Sequence, residues 1–174
     1  PMNLSLIIPI FNERGRLPRL LEELRDLWSA ALAPEGEILL VDDGSTDGGG
    51  DWLAAQALPE GVRLLRHTAN RGYGASLRTG LRAARHDLAA ITDADGTYPL
   101  ERIPEFARRL EEAPEIAMAV GARTGPEARH AIPPLRRPAK WMLRALAERL
   151  AESPIPDLNS GMRVFRRSVA QPYL

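Results

Sequence analysis

The sequence predicts an α/β fold with a mostly parallel central sheet covered by helices on both faces. Three observations lead there. Five short apolar runs alternate with amphipathic helical patterns along residues 4–120. The runs are almost wholly apolar, with no regular polar alternation, as in strands buried on both faces. Polar clusters follow the runs at 11–13, 42–47, 70–72 and 93–97. A parallel sheet gathers such clusters on one edge, beyond the carboxyl ends of its strands, where ligands bind.

Leu4 to Ile10 is the first strand, closing at Phe11-Asn12-Glu13. Leucines 17, 20, 21, 24 and 27 then repeat at helical spacing, which predicts a helix over 17–32. Ile38 to Val41 is a second strand, ending abruptly in Asp42-Asp43-Gly44-Ser45-Thr46-Asp47. A short helix is expected through Trp52 to Leu58, stopped by Pro59 and Gly61, and Val62 to Leu65 is a third strand. Asn70-Arg71-Gly72-Tyr73-Gly74 opens a helix to about Arg85. Leu88 to Thr92 is a fourth strand, running into Asp93-Ala94-Asp95-Gly96. Pro99 suits the first turn of a helix that reaches Glu112, and Ile116 to Val120 is a fifth strand. Beyond 121 the alternation stops. Residues 122–138 read as a proline-rich loop, Pro138 to Ala151 as a helix, and Asp157 to Phe165 as a turn followed by a strand.

The composition excludes several classes of function. With no cysteine there is no disulfide framework, thiol catalysis or cysteinyl zinc site. No apolar run approaches the roughly 18 residues of a membrane span, so a cytoplasmic protein is the default. The 23 basic and 23 acidic groups cancel, which gives no overall reason to expect nucleic acid. The cancellation hides two unequal halves. Residues 1–122 carry 13 basic and 19 acidic side chains, whereas residues 123–174 carry 10 basic and 4 acidic. Such asymmetry points to two surfaces meeting different partners.

Asp93-Ala94-Asp95 sets two carboxylates just past a buried strand. Two hard oxygen donors can hold a divalent cation and leave positions open for phosphate oxygens and water. An acidic turn is the plainer reading, but other carboxylates are expected on the same edge. Asp42 and Asp43 repel each other at a strand end, so they call for a cation or a donor-rich ligand such as the imide edge of a nucleobase. Gly72-Tyr73-Gly74 resembles half of a dinucleotide fingerprint, yet Leu77 stands where the third glycine is needed, so no Rossmann cofactor site is expected. No phosphate-loop lysine motif is present.

Six ordered segments carry a family resemblance: Ser5 to Glu13, Leu40 to Asp47, Asn70 to Gly80, Thr92 to Gly96, Val120 to Arg123 and Asn159 to Arg163. In that order they resemble family 2 glycosyltransferases of GT-A fold, a Rossmann-like sandwich. The nearest subgroup is the polyprenyl-phosphate glycosyltransferases, of the dolichol-phosphate mannose synthase type. The resemblance implies an inverting transfer of a hexose from a nucleotide-diphosphate sugar, such as UDP-glucose or GDP-mannose, to an undecaprenyl or dolichyl phosphate. Carried over by position, Pro9, Phe11, Glu13 and Asp42 would hold base and ribose, with Asp93 and Ala94 near the ribose and diphosphate. Asp95 would bind Mg²⁺ or Mn²⁺ with Asp93. Thr97 stands where the family often has glutamine, and its hydroxyl can coordinate weakly or through water. Arg123 and Arg163 would meet phosphate, and Asp157 would be the acceptor-side carboxylate, acting as base or as orienter. A phosphate acceptor already carries charge near neutral pH and needs little deprotonation, which favours orientation; a hydroxyl acceptor needs a base.

The resemblance divides one domain into a nucleotide-sugar-binding half, 1–121, and an acceptor-side half, 122–174, with the chain expected to continue beyond Leu174. In the second half Arg129, Arg136, Arg137, Lys140, Arg144 and Arg149 surround Trp141, Met142, Leu146 and Leu150. A cationic amphipathic helix of this kind can lie at an anionic membrane surface, so peripheral attachment at the cytoplasmic face is expected. Two alternatives stand beside this reading. One is a soluble family 2 enzyme extending a saccharide hydroxyl; no Gln-X-X-Arg-Trp motif of processive synthases is present. The other is a nucleotide-sugar-binding module without efficient transfer. Oligomeric state has no signature in the sequence.

Overall fold

The computed structural model describes residues 2–121 and 160–173. One six-stranded sheet organises them, in the order β3-β2-β1-β4-β6-β5. The strands are β1 (Leu4–Ile10), β2 (Glu37–Asp42), β3 (Val62–Arg66), β4 (Leu88–Ile91), β5 (Met118–Val120) and β6 (Arg163–Arg166). Strands β1 to β4 are mutually parallel: Ile10 stands beside Asp42, Asp42 beside Arg66, and Ile7 beside Ile91. Only β6 is shown antiparallel, with Arg163 beside Ile91 and Arg166 beside Leu88. The fold is the mostly parallel α/β sandwich that the alternation predicts.

Both faces of the central strands are covered, which is why β1 and β2 read as nearly continuous apolar runs. One core holds Leu6, Ile8 and Ile10 against Leu17, Leu20, Leu24, Ile103 and Leu110. These come from α1 (Leu17–Leu27) and α4 (Ile103–Glu112). The opposite core holds Ile7, Leu39, Val41, Ala89, Ile91 and Phe165 with Leu81 and Ala84. Leu81 belongs to α3 (Tyr73–Ala83). Helix α3 lies close to β1 because Gly80 has no side chain: a Cβ there would collide with the buried Ile7. Gly80→Val is therefore expected to cost about 1–3 kcal/mol by overpacking. Gly74→Ala, on the same helix but in open space, should be neutral or stabilising by about 0.5–1 kcal/mol. Urea midpoints of the two variants test the contrast.

Several boundaries differ from the sequence expectation, each for a local reason. The first helix leaves α geometry at Leu27 and continues as a π turn, Trp28–Leu32, closed by the Ala33 N–H on the Trp28 carbonyl. Pro34 prevents further extension. Helix α2 (Gly49–Ala54) starts earlier than Trp52 despite three consecutive glycines. Asp47 Oδ1 accepts from the Gly49 N–H at 2.8 Å, and Gly50 must be bare because a Cβ would strike the Asp42 carboxylate. Pro104, not Pro99, fills the first turn of α4; residues Leu100–Arg102 form a 3-10 turn before it.

The chain divides into two units, 1–119 with 161–174, and 120–160. The expected boundary at 121 thus leaves out a return: β6 and α5 (Arg167–Ala170) belong with the first unit, and β6 sits inside its sheet. In the second unit, the described Ser160 hydroxyl donates to the Gly121 carbonyl at 2.5 Å. Arg123, Asp157 and the basic segment around Trp141 lie outside the described residues.

Candidate functional site

The carboxyl ends of β1, β2 and β4 open onto one cleft of about 310 Å³. Pro9, Ile10, Phe11 and Glu13 line it from the end of β1 and the loop that follows. Asp43 lines it from the turn after β2, and Asp93, Ala94 and Asp95 from the turn after β4. Asn70, Tyr73 and Ser76 close the side toward α3. Of the residues singled out by sequence, the structure brings Pro9, Phe11, Glu13, Asp93, Ala94 and Asp95 together here.

Asp42 is not with them. It is fully buried; its Oδ1 accepts from the Ser45 N–H at 3.0 Å and its Oδ2 from Arg66 Nε at 3.2 Å. The rest of the acidic turn is scaffold too. Asn12, at φ 58°, receives the Thr46 N–H on its side-chain oxygen at 2.8 Å and donates its own N–H to Ser45 Oγ at 3.0 Å. Asp47 accepts from the Arg14 and Gly49 amides, and those bonds hold its carboxyl below the usual range. These crosslinks fasten the β1 loop to the β2 loop. Gly44, at φ 69°, lets the segment after β3 pass: a Cβ there would come within 2.5 Å of the Ala69 backbone.

Asp43 is the aspartate that turns to the cleft, and it is held by three bonds. Its Oδ1 accepts from the Arg71 N–H at 2.9 Å and from His67 Nδ1 at 2.6 Å; its Oδ2 accepts from the Gly72 N–H at 2.8 Å. His67 Nε2 reaches Thr79 Oγ1 at 2.9 Å, and this contact anchors the imidazole. Burial pushes the Asp43 carboxyl up, but His67 and the two backbone donors outweigh it and the net shift is downward. An ionised Asp43 can only accept, so Nδ1 carries the His67 proton. Its Nε2 pairs with the Thr79 hydroxyl, which can donate or accept.

At the other end, Asp93 is half-buried and Asp95 exposed. Asp93 Oδ1 accepts from the Tyr73 hydroxyl at 3.2 Å. Burial and the adjacent Asp93 carboxylate push Tyr73 up to about 12, despite an opposing contribution from Arg163, so Tyr73 stays a donor. Asp95 Oδ1 accepts from the Thr97 N–H at 2.8 Å. Thr97 is exposed, and its amide, not its hydroxyl, meets Asp95. Antiparallel pairing delivers Arg163 to the same sheet edge, beside Ile91. Gly161 lies so close to Asp93 that a Cβ would collide with the carboxylate, and its N–H donates to the Tyr98 hydroxyl at 2.5 Å.

The donor set at Asp93 and Asp95 is hard oxygen only, which fits Mg²⁺ or Mn²⁺. Among the described residues no three His, Cys, Asp or Glu side chains group as a metal centre. A cation here would complete its shell with ligand oxygens or water. Sequence reasoning missed Asp43's role, His67 and Ser76. Ser76 is fully buried on the cleft wall, and its hydroxyl has no partner among the described residues.

Comparison with known proteins adds lineage to this geometry. The family model described as "Glycosyl transferase family 2" matches residues 5–174. The undecaprenyl-phosphate 4-deoxy-4-formamido-L-arabinose transferase of Klebsiella pneumoniae (strain 342) is 30% identical over 98% of this chain and 50% of its own. The undecaprenyl-phosphate mannosyltransferase of Micrococcus luteus is 31% identical over 95% of this chain and 67% of its own. The chain thus spans about half to two thirds of the length of these relatives. Among solved structures, a mannosyltransferase from Pyrobaculum calidifontis in complex with GDP-Man and Mn²⁺ superposes with a TM-score of 0.64 at 24% identity. That match covers 98% of this chain and 46% of the other.

Proposed function

The chain belongs to glycosyl transferase family 2, and from that premise we propose that it moves a hexose, with inversion, from a nucleotide-diphosphate sugar to a polyprenyl phosphate. One observation carries the donor half of the reading: a buried, ionised Asp43 and the Asp93–Asp95 pair open onto one cleft from either side of β1. A sugar nucleotide needs such a cleft, with acceptors for a base at one end and a phosphate site at the other. The acceptor half is supported by the relatives, which are named for undecaprenyl phosphate.

Asp95 and Asp93 would hold the divalent cation, which when bound supplies charge neutralisation for the leaving diphosphate. Glu13, Phe11 and Pro9 wall the donor. Tyr73 holds Asp93 by its hydroxyl, and Arg163, arriving at the same edge, is suited to pair with phosphate. In the transfer an acceptor oxygen bonds to the anomeric carbon as the bond to the diphosphate oxygen breaks, and the electron pair leaves with the diphosphate. A phosphate acceptor enters already ionised, so Asp157 and Arg123 would orient it, with no proton to remove. Thr97 would act through its amide on Asp95. The basic residues near Trp141 in the sequence would set the chain against an anionic membrane surface from the cytoplasmic side. Among the described residues no helix is long and apolar enough to cross a membrane.

The test is transfer of a radiolabelled sugar to a short polyprenyl phosphate, with and without Mn²⁺ or Mg²⁺, beside a saccharide acceptor. Metal-dependent product on the lipid phosphate is the expected result. Product only on the saccharide overturns the acceptor assignment, and nucleotide binding without product makes the chain a donor-binding module.

A further inference from the structure

Resting on the nucleotide-sugar reading, we infer that this chain takes a uridine diphosphate sugar in preference to a guanosine one, and that His67 sets the preference by occupying one oxygen of Asp43. Strands β2 and β4 flank β1, so their ends stand two strand spacings apart, roughly 10 Å. A donor anchored by its diphosphate at Asp93 and Asp95 brings its base toward Asp43.

The Asp43 carboxylate has about four acceptor positions, and three are filled. Oδ1 holds His67 Nδ1–H and the Arg71 N–H; Oδ2 holds the Gly72 N–H. One position remains, on Oδ2. Nearby on the cleft wall, the buried Ser76 hydroxyl has a hydrogen to give and no protein partner among the described residues. The cleft therefore offers a base one anionic acceptor and one hydroxyl.

Uracil answers that pattern. Its imide edge carries a single N–H flanked on both sides by carbonyls, so the N–H meets Oδ2 and either carbonyl can take the Ser76 proton. Guanine presents two adjacent donors, the ring N–H and the exocyclic amino group, and needs both carboxylate oxygens free. With Oδ1 full, its amino group loses a partner, and a desolvated donor without a partner weakens binding by on the order of tenfold or more. Cytosine and adenine lack the ring N–H altogether.

His67 acts through Asp43, as a positioning residue. Its side chain is 5% exposed, and Thr79 on Nε2 keeps it from turning away. The donor it spends on Oδ1 is what limits the carboxylate to one bond with the base.

Calorimetric titration of the full chain with UDP, GDP and ADP, each with Mn²⁺, decides the matter. UDP should bind on the order of tenfold or more tighter than GDP, with ADP weakest. His67→Phe should narrow the UDP-to-GDP ratio to within about threefold, and His67→Asn, which keeps a donor toward Oδ1, should restore it. Thr79→Val, which frees Nε2, should narrow the ratio even if the His67 variants do not fold. Ser76→Ala should weaken UDP several-fold with no fall in melting temperature, since it deletes an unpaired buried hydroxyl. GDP binding as tightly as UDP to the unaltered chain overturns the inference and leaves the donor reading intact. Variants that weaken both nucleotides equally return His67 to a structural role. Binding of none of the three, metal present, defeats the underlying reading itself.

Discussion

Asp95→Asn is expected to lower sugar transfer by on the order of 10²–10³-fold, with the chain folded and its melting temperature unchanged. The substitution keeps the shape of the side chain, and the amide oxygen can still accept the Thr97 N–H that Asp95 Oδ1 receives at 2.8 Å. Only the charge is removed. Asp95 is exposed, so losing that charge leaves no buried group unpaired. The loss falls where negative charge grows on the departing diphosphate and a divalent cation is needed to balance it. Titration with Mn²⁺ in the presence of UDP should show the metal affinity weakened in step with the rate. Thr97→Val separates the two possible uses of that residue: it retains the amide that holds Asp95 and deletes the hydroxyl, so a loss under about threefold supports the scaffold role, against the decades expected when a direct electrostatic contact is removed. A full rate for Asp95→Asn would move the phosphate site away from this turn.

The fold was legible because burial on both faces writes itself into β1 and β2 as nearly continuous apolar runs, and because helical spacing is local. What escaped depends on partners far away in sequence. Which of Asp42 and Asp43 faces the cleft is decided by where β2 ends against β1 and by Arg66 on β3, 24 residues along. Reading the pair as adjacent like charges predicted a ligand, and the structure supplies Arg66, His67 and three backbone amides instead. His67 looked like any histidine past a strand, and only its reach to Asp43 and Thr79 gives it meaning. Ser76 was hidden as a small residue inside a helical pattern. The polar turns were correctly placed on one edge, because parallel strands leave no other arrangement. The insertion of β6 between β4 and β5 was not visible, since an apolar run of four residues states neither its neighbours nor its direction. Arg163 was found through the resemblance alone, and antiparallel pairing explains how a residue so late in the chain reaches the site.

Glu37→Ala should destabilise the fold by about 3 kcal/mol while leaving nucleotide binding untouched, since Glu37 begins β2 at the sheet edge opposite the cleft. Glu37 is 1% exposed. Its Oε1 accepts from the Ser5 hydroxyl at 2.8 Å and the Arg85 N–H at 2.5 Å; its Oε2 accepts from Arg63 Nη1 at 3.0 Å and pairs with Arg85 Nε at 3.4 Å. Ser5 in turn receives the His86 N–H at 3.1 Å. One carboxylate thus ties β1, β2, β3 and the turn that leads from α3 into β4. Removing it strands the Ser5 hydroxyl and the Arg85 amide. The guanidinium groups reach water, with 39% and 66% of their side chains exposed, which keeps the loss at the lower end for a broken buried pair. Burial alone would raise this carboxyl, but the Arg85 N–H, Ser5 and Arg63 hold it below its ordinary 4.5. A depressed carboxyl adds stability above its unfolded value and surrenders it as pH falls through the folded one. The unaltered chain should therefore lose stability from about pH 4.5 downward. Glu37→Gln, which has no proton to take up, should lack that part of the acid loss, so its deficit relative to the unaltered chain shrinks in acid. Urea midpoints at neutral pH and near pH 3.5 measure this directly. An equal deficit at both would mean that Glu37 works by shape and hydrogen bonding, with no share carried by its charge.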